Sequence, residues 1–356
     1  MRLLFSFLVV MCPILNAMQE AEPPKHLIPQ VIAKLPGTVM ETAASFTPDG
    51  RNLVAAGLQR FIQIWDTSDY SRPKLNIETK IGGVQDSSIR LDSAQAGIAY
   101  LQGKVDIYDI SSGTIVTTLQ DANSVNALQY ADQETILTAV YDGTCKLWDV
   151  KNNKIAKTFK TQAGAVWDLH INPADLNQFA AVSSPTKLTI WDMRNEAAPL
   201  ISLDEVVNVY RVTHNKKGEI LVGADYQNIL RDSKAQLLAM YTVHGKKMQP
   251  NTIVPAKIGQ VPLGTDAFKF MVDNDDLFIS GLDNGQIVIT NTKDSTKSFA
   301  FRDNSGGSTV ESLDIHPDGQ TFVAGYSDGG AIVFDCTALS EFKEKVKAAY
   351  SSCALS

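Results

Sequence analysis

The sequence predicts an all-β fold assembled from repeated four-stranded antiparallel sheets, and three observations carry this prediction. Of the 356 residues, 44% are hydrophobic and 20% are charged, which supplies enough apolar side chains for a sizeable core. A short strand that ends in an apolar or aromatic residue and then Asp, or a residue in its place, recurs seven times. Most intervals between these strand ends are 40 to 44 residues long. One long repeat array is therefore expected, rather than the two ordinary domains that the length alone would suggest.

The repeated strand end is clearest in the third and fourth repeats, at Cys145–Asp149 and Leu188–Asp192. The other strand ends are Ile62–Asp66, Val105–Asp109, Asn228–Asp232, Ile287–Asn291 and Ile332–Asp335. A period of about 40–45 residues closed by Trp-Asp is typical of one blade of a β-propeller. The chain thus resembles the WD-repeat family over nearly all residues after 27, and seven strand ends predict a seven-bladed β-propeller.

Within a repeat, the segments follow the order of strands that one blade needs. Val166–Ile171 places its side chains alternately on two sides, which is the pattern of a half-buried inner strand. Thr47–Gly50 offers Pro and Gly for a tight turn, and Leu53–Gly57 is small and apolar, as expected for a strand buried on both faces. Lys154–Phe159 supplies a fourth, outer strand. Each blade is therefore predicted to have four antiparallel strands.

The last repeat has no outer strand of its own after Asp335. The segment Pro29–Leu35 precedes the first inner strand and has the composition of a strand. We expect this N-terminal strand to complete the last blade, because ring closure removes exposed sheet edges. After the ring, Leu339, Phe342, Val346 and Ala349 are spaced as on one face of a short C-terminal helix.

Several residues have a structural role under the family resemblance. The resemblance implies that Thr138, Asp142 and Trp148 belong to a hydrogen-bonded network that holds the third blade. The position where the family has His is occupied by Asp121 here, so this network is expected to be incomplete. Asp283 and Asp328 take the equivalent turn positions in the last two repeats. Trp65 and Trp191, like Trp148, are interpreted as core residues whose ring N–H is hydrogen-bonded.

No motif in the sequence indicates catalysis, a metal or a cofactor. The five histidines are far apart, and zinc-binding, EF-hand, phosphate-loop and nucleophile-elbow patterns do not occur. The formal charge of −7 argues against non-specific nucleic-acid binding, which needs clustered Lys and Arg. An alternative kept open is a propeller enzyme, in which Asp266 and Glu311 would act from the channel end of two inner strands on a small substrate.

A protein partner is the more favoured ligand, bound at the ring of loops around the channel. The alignment places one residue of each repeat near the start of its inner strand, and these residues are Thr42, Ser87, Asn126, Trp167, Asn208, Asp266 and Glu311. Trp167 stands out, because an exposed Trp among polar residues can dominate an interface. The alternative is that Trp167 folds down onto its own blade.

One interval is 59 residues long, and its excess is interpreted as an insertion over 241–265. Lys246 and Lys247 make this segment basic on an acidic protein. Insertions in repeat proteins often carry binding sites, but a tolerated surface loop is the favoured interpretation, because closing a longer loop costs little per added residue.

The two ends of the chain predict processing and export. Residues 1–17 have the basic start, the apolar run and the small residue of a secretory signal peptide cleaved after Ala17. The domain prediction is therefore a signal peptide at 1–17, a polar linker at 18–27, the propeller at 28–337, and a C-terminal helix and tail at 338–356. A cytosolic adaptor that starts at Met18 is the alternative.

The sequence analysis thus favours a secreted or periplasmic, non-enzymatic and monomeric interaction scaffold with no membrane-spanning segment. Two cysteine questions stay open. Cys336 and Cys353 could form a disulfide in an oxidising compartment. The last four residues, from Cys353 to Ser356, match a prenylation signal, but that modification would conflict with export.

Overall fold

Every regular element of the described chain is a β-strand, and the strands form sheets of four. The computed structural model of the protein describes residues 29–35, 41–57, 60–185, 187–204, 209–224, 238–244, 247–254, 257–258, 261–262, 267–272, 274–292, 298–302 and 308–337. The predicted signal peptide, linker and C-terminal helix lie outside these residues. Within the described ranges, no helix has the length and hydrophobicity needed to cross a membrane.

We number the sheets 1 to 7 by the order of their inner strands. The strands of sheets 1 to 4 are β2 (Glu41–Phe46), β3 (Asn52–Gly57), β4 (Phe61–Asp66), β5 (Leu75–Glu78), β6 (Val84–Ile89), β7 (Gln95–Tyr100), β8 (Lys104–Asp109), β9 (Ile115–Gln120), β10 (Val125–Tyr130), β11 (Thr135–Val140), β12 (Thr144–Asp149), β13 (Lys154–Lys160), β14 (Val166–Ile171), β15 (Gln178–Ser183), β16 (Lys187–Asp192) and β17 (Ile201–Leu203).

The second half of the chain completes the series. The strands of sheets 5 to 7 are β18 (Val209–His214), β19 (Ile220–Ala224), β20 (Leu238–His244), β21 (Lys247–Val254), β24 (Ala267–Met271), β25 (Asn274–Gly281), β26 (Ile287–Asn291), β27 (Ser298–Phe301), β28 (Val310–Ile315), β29 (Thr321–Tyr326), β30 (Ala331–Asp335) and, in sheet 7, β1 (Gln30–Leu35). A separate two-stranded hairpin is formed by β22 (Lys257–Ile258) and β23 (Val261–Pro262).

The inner strands close the sheets into a ring. Each inner strand contacts the next one in order, and β28 contacts β2. The predicted closing strand is confirmed: β1 is the outer strand of sheet 7, where Gln30 pairs with Asp335 and Leu35 pairs with Ala331. The chain is thus an all-β propeller of four-stranded antiparallel sheets, as predicted.

The blade count and the fifth repeat need correction. Six of the sheets are regular blades, against the seven predicted, and sheet 5 departs from the regular form. Its third strand is β20 at Leu238–His244, not the predicted Asn228–Asp232, which lies outside the described residues. The segment 241–265 is also not one inserted loop, since β21 is the outer strand of this sheet and β22 with β23 forms the small hairpin. The third strand was predicted in the wrong place because the repeat end at Asn228–Asp232 is degenerate.

The core lies between neighbouring sheets, because their second and third strands are apolar on both faces. Between sheets 3 and 4, Phe159, Phe179 and Trp191 are fully buried, and the ring centroids of Phe159 and Phe179 lie 5.1 Å apart. The tight turn after β2 needs Gly50, whose φ is +72°, and whose carbonyl oxygen is bound by Nε2 of His316 at 2.8 Å. This hydrogen bond ties sheet 1 to sheet 7 at one end of the ring.

Candidate functional site

The inner strands share an irregularity at the end where the chain enters them. In six of them one residue near the start has no partner on the second strand, and we call it the bulge residue. The bulge residues are Thr42, Gln85, Asn126, Trp167, Tyr210 and Glu311. A bulge redirects a side chain away from the regular alternation, so this end of the ring gathers side chains around the channel mouth.

Two of the predicted face residues are displaced by this register. In β6 the bulge residue is Gln85 and not Ser87, and in β18 it is Tyr210 and not Asn208. Both correct residues lie 43 residues after the bulge residue of the preceding sheet, Thr42 and Trp167, which equals an interval of the repeat. The repeat spacing could therefore have found them, whereas residue type could not.

The other predicted binding residues fall in different places. Asn126 is buried, and its Nδ2 donates a hydrogen bond to the carbonyl oxygen of Val166 at 2.8 Å, which joins sheets 3 and 4. Lys247 is the first residue of β21. Asn208, Asp266 and Lys246 lie outside the described residues.

Trp167 is part of a row of three aromatic side chains. Its ring lies 5.0 Å from that of Tyr210 with a tilt of 35°, and 6.0 Å from that of Tyr141 in an edge-to-face arrangement. Tyr141 is 57% exposed, while Trp167 and Tyr210 are half-buried. We call these three residues the aromatic ridge. It crosses sheets 3 to 5, and the sequence analysis found only its central member.

A cavity of about 320 Å³ lies at the centre of the ring. In five of these six strands the residue after the bulge residue lines the cavity, and in all six the residue two positions further along the strand lines it. The charged side chains among those that line it are Asp86, Asp168, Arg211, Lys269, Glu311 and Asp314. Of these, the sequence analysis named only Glu311. The others were missed because they lie on regular strand positions without a motif.

Two of these carboxylates hold the wall together. Asp86 accepts a hydrogen bond from the main-chain N–H of Leu128 on the next inner strand at 2.9 Å, and one from Ser87 at 2.8 Å. Asp168 repeats this arrangement two sheets later, with Val212 and Leu169, both at 2.9 Å. Burial raises the pKa of Asp168 to about 7 although the Arg211 guanidinium opposes the shift, and burial also raises the pKa of Asp86.

Further along the strands, other side chains make equivalent bonds. Gln129 accepts a hydrogen bond from the N–H of Ile171 at 2.7 Å, and Ser88 accepts one from Tyr130 at 3.0 Å. Asp314 accepts one from Phe46 at 2.8 Å, which joins sheet 7 to sheet 1. We call these bonds from a side chain to the main chain of the next inner strand ring bonds.

A histidine pair makes a second ring bond between sheets 4 and 5, beside that of Asp168. Nδ1 of His170 lies 3.1 Å from Nδ1 of His214 and 3.3 Å from the main-chain N of His214. Since Nδ1 of His170 accepts the main-chain N–H, the shared proton belongs on Nδ1 of His214. Burial lowers the pKa of His214 to about 3 and holds the pKa of His170 well below its usual value, so both rings are neutral near pH 7.

The residues assigned structural roles form two kinds of contact. The ring N–H of Trp148 donates to Oγ1 of Thr138 at 3.1 Å. Instead of the missing His, Lys146 binds Asp121 at 2.7 Å and Asp142 at 3.2 Å, so an ion triad replaces the expected network.

The remaining structural residues lie as follows. Trp191 donates from its ring N–H to Thr189 at 3.0 Å, whereas the buried Nε1 of Trp65 has no hydrogen-bond partner among the described residues. Asp283 and Asp328 lie in the turns after β25 and β29. Cys336 is buried and its thiol donates to the carbonyl of Gly319 at 3.3 Å, while Cys353 lies outside the described residues.

No candidate metal centre comes from the described ranges. Among those residues, no group of three or more His, Cys, Asp or Glu side chains is placed to hold a metal ion. The aromatic ridge and the channel mouth are therefore the features of the described chain that offer a binding surface.

The matches to a known family model coincide with repeats of this chain. A model of the family described as WD domain, G-beta repeat matches residues 30–66, 113–149 and 295–335. Each matched segment ends on the Asp that closes a third strand of a sheet, at Asp66, Asp149 and Asp335.

Curated relatives resemble the chain over parts of their length. The guanine nucleotide-binding protein subunit beta of Saccharomyces cerevisiae is 24% identical over 302 residues, which are 81% of this chain and 65% of that protein. Eukaryotic translation initiation factor 3 subunit I of Nematostella vectensis is 23% identical over 59% of this chain and 62% of that protein. The GATOR2 complex protein Wdr59 of Drosophila melanogaster is 27% identical over 43% of this chain and 17% of that protein. The chain thus spans less than two thirds of each relative.

Proposed function

Because this chain is a WD-repeat β-propeller, we propose that it is a non-enzymatic protein-interaction scaffold whose partner binds the aromatic ridge. The observation that carries the proposal is the ridge itself. Three aromatic rings contact one another in a row, two of them directly precede cavity-lining residues in the sequence, and the third, Tyr141, is 57% exposed. Rigid aromatic side chains of this kind supply much of the binding energy in protein interfaces.

The relatives support a role in assemblies. By their titles, three of them are a subunit or a complex protein: the beta subunit, the initiation factor subunit and the GATOR2 complex protein. A closed ring of sheets also suits this role, because it presents loops on a rigid support.

The test is site-specific photo-crosslinking in the native host. A photoreactive amino acid replaces Tyr141 in one variant and Leu176 in a matched control, since Leu176 is 58% exposed in the turn at the opposite end of sheet 4. We expect a discrete protein to be crosslinked from position 141 and not from 176, and Trp167→Ala to abolish that product. Equal products from both positions, or a product that survives Trp167→Ala, would show that the partner binds elsewhere.

We further propose that the scaffold works outside the cytoplasm, as a secreted or periplasmic protein. The support is the sequence of residues 1–17 alone. Cell fractionation with N-terminal sequencing tests this: we expect the native protein outside the cytoplasm with Met18 as its first residue, and the fraction decides, because a cytosolic adaptor would also start at Met18. Recovery of intact protein from the cytosol would instead favour a cytosolic adaptor.

The enzyme alternative has one observation in its favour. Burial raises the pKa of Asp168 to about 7, the range in which a carboxyl group can act as general acid or base. However, both of its carboxylate oxygens already accept main-chain hydrogen bonds in the wall. A structural role explains these bonds, and turnover of any small substrate that Asp168→Asn abolishes without changing the melting temperature would revive the alternative.

A further inference from the structure

The charged side chains around the aromatic ridge indicate the chemistry of the partner. Three lysines on third strands, at the first residue of β8 and of β16 and at the third residue of β12, are each held by a carboxylate of this chain. Lys104 binds Asp106 at 2.7 Å, Lys187 binds Asp204 at 3.0 Å, and Lys146 binds two carboxylates. Their side chains are only 12% to 24% exposed. The described residues therefore present little cationic surface beside the ridge.

Acidic side chains outnumber basic ones at the channel mouth as well. Four carboxylates line the cavity, and two cationic side chains line it with them. Lys269 lies 3.4 Å from Asp314, and Arg211 faces Asp86, Asp168 and Glu311 at longer range. Burial raises the pKa of Asp86, Asp168 and Glu311, so a cation that enters the mouth would favour the charged forms of these carboxyl groups and be held by them.

One of these carboxylates has unused hydrogen-bonding capacity. Glu311 is the bulge residue of β28, it is half-buried, and it lines the cavity. It makes no hydrogen bond or ion pair with another described residue, whereas Asp86, Asp168 and Asp314 all accept main-chain hydrogen bonds. Burial and the nearby Asp283 raise the pKa of Glu311, although Arg211 opposes the shift. A cation placed beside this carboxylate would satisfy it and favour its charged form.

The ridge and the carboxylate belong to one surface. Trp167 and Tyr210 directly precede Asp168 and Arg211, which line the cavity together with Glu311. Aromatic faces also attract Lys and Arg side chains, with Trp the strongest of them. Both halves of the surface therefore prefer the same kind of ligand.

We propose that the partner is a basic, extended peptide segment, which lies across the aromatic ridge and places a lysine or arginine side chain in the channel mouth beside Glu311. The proposal rests on the proposed function, because it assigns the chemistry of the partner at that same face. It distinguishes a basic segment from neutral or acidic ones, which the aromatic ridge alone would not.

The experiment selects ligands from a random peptide display library on the full-length protein, with counter-selection on Trp167→Ala. Peptides retained by the wild type are sequenced, and the strongest is synthesised with each Lys or Arg replaced by Gln. We expect the retained peptides to carry Lys or Arg, and one such replacement to weaken binding at least tenfold. With the Glu311→Gln protein, the same replacement of Lys or Arg in the peptide should change affinity less than threefold, because the carboxylate that binds the cation is absent.

The possible outcomes separate this inference from the scaffold proposal. Retained peptides that need Trp167 but are neutral or acidic would overturn the basic-segment inference and leave the scaffold proposal standing. An equal effect of the Gln replacement on wild type and Glu311→Gln would overturn the placement of the cation. If no retained peptide depends on Trp167, the face is not a peptide site and both proposals fail there. Leu176→Ala serves as the control that should bind like the wild type.

Discussion

The ring has two sectors that differ in how neighbouring inner strands are joined. From β6 to β18, side chains on each inner strand accept hydrogen bonds from the main chain of the next inner strand. From β18 to β28, the strand positions equivalent to these acceptors carry Arg211 and Lys269. The first sector is held by Asp86, Gln129 and Asp168 together with other ring bonds. In the second sector, Arg and Lys have N–H donors and no acceptor, so neither can accept a main-chain N–H. Lys269 instead pairs with Asp314 on the neighbouring strand.

The cavity-lining positions of the inner strands therefore serve two purposes. Where a residue can accept a hydrogen bond, it reinforces the joint between two sheets. Where it is cationic, it sets the charge of the cavity and leaves the joint to the apolar core between the sheets. The aromatic ridge spans sheets 3 to 5 and so stands on the reinforced sector, where a rigid support favours binding.

The largest effect is expected from removing the closing strand of sheet 7, the sheet at which the less reinforced sector ends. Deletion of residues 28–36 removes β1 and exposes the edge of β30, whose five residues pair with it. The exposed edge can pair with other chains, so we expect unfolding or aggregation. Thermal denaturation and light scattering check this, and unchanged melting of the truncated protein would show that β1 is dispensable for closure.

A smaller loss should distinguish the two sectors directly. Asp168→Ala removes the acceptor of two main-chain hydrogen bonds, and we expect it to lower the free energy of unfolding by about 2–3 kcal/mol. Lys269→Met in the other sector should cost less than about 1 kcal/mol, because its ion pair is partly exposed. Urea denaturation measures both, and Asp168→Asn, which keeps one acceptor oxygen, should fall between them. Equal losses at both sites would contradict the division into sectors.

The pH dependence sharpens the comparison at one ring bond. The folded-state pKa of His214 lies near 3, below its unfolded value of about 6.5, so its contribution to stability is present above pH 6.5 and is lost as the pH falls. Relative to His214→Gln, the wild type should therefore lose about 2 kcal/mol of stability between pH 7 and pH 5.

Asp168 should give the opposite slope. Its folded pKa of about 7 lies above the unfolded value near 3.9, so its contribution is present at low pH and is lost as the pH rises toward 7. Relative to Asp168→Asn, the wild type should gain stability between pH 7 and pH 5. Denaturation at a series of pH values measures both differences, and parallel slopes for the two variants would refute the assigned protonation states.

The smallest effect concerns two tryptophans of the same blade position. Trp148→Phe loses the hydrogen bond from the indole to Thr138, whereas Trp65→Phe breaks no hydrogen bond within the described part of the chain, where Nε1 of Trp65 has no partner. Both replacements remove similar volume, so Trp148→Phe should cost about 1 kcal/mol more. Thr138→Val in each background is the control, and it should remove this difference.

The sequence allowed the fold to be predicted where repeats kept their strand ends. Third strands such as Cys145–Asp149 and the closing strand at Pro29–Leu35 lie where they were expected. The fifth sheet was misplaced because the segment Asn228–Asp232 only weakly resembles a strand end, while the true third strand, β20, lacks the Trp-Asp pattern.

The site was less predictable, for a physical reason. A bulge is defined by hydrogen-bond register between two strands, and residue type does not reveal it, so Gln85 and Tyr210 were missed. Lys146 was overlooked as the replacement for a missing His, because it meets Asp121 across 25 positions of the chain. Trp167 could be singled out because it is unusual for its position, but its neighbours in space were not evident.

The pairing of β1 with β30 also governs how the molecule can fold. These strands lie about 300 positions apart in the sequence, so their contact is among the most non-local in the chain. Non-local pairings form late, because the entropy of closing a long loop must be overcome first. During synthesis β1 is made long before its partner β30. Until β30 is made, β1 has no pairing strand and can bind chaperones or pair with a wrong strand. Assembly of the propeller is therefore a step that follows completion of the last sheet.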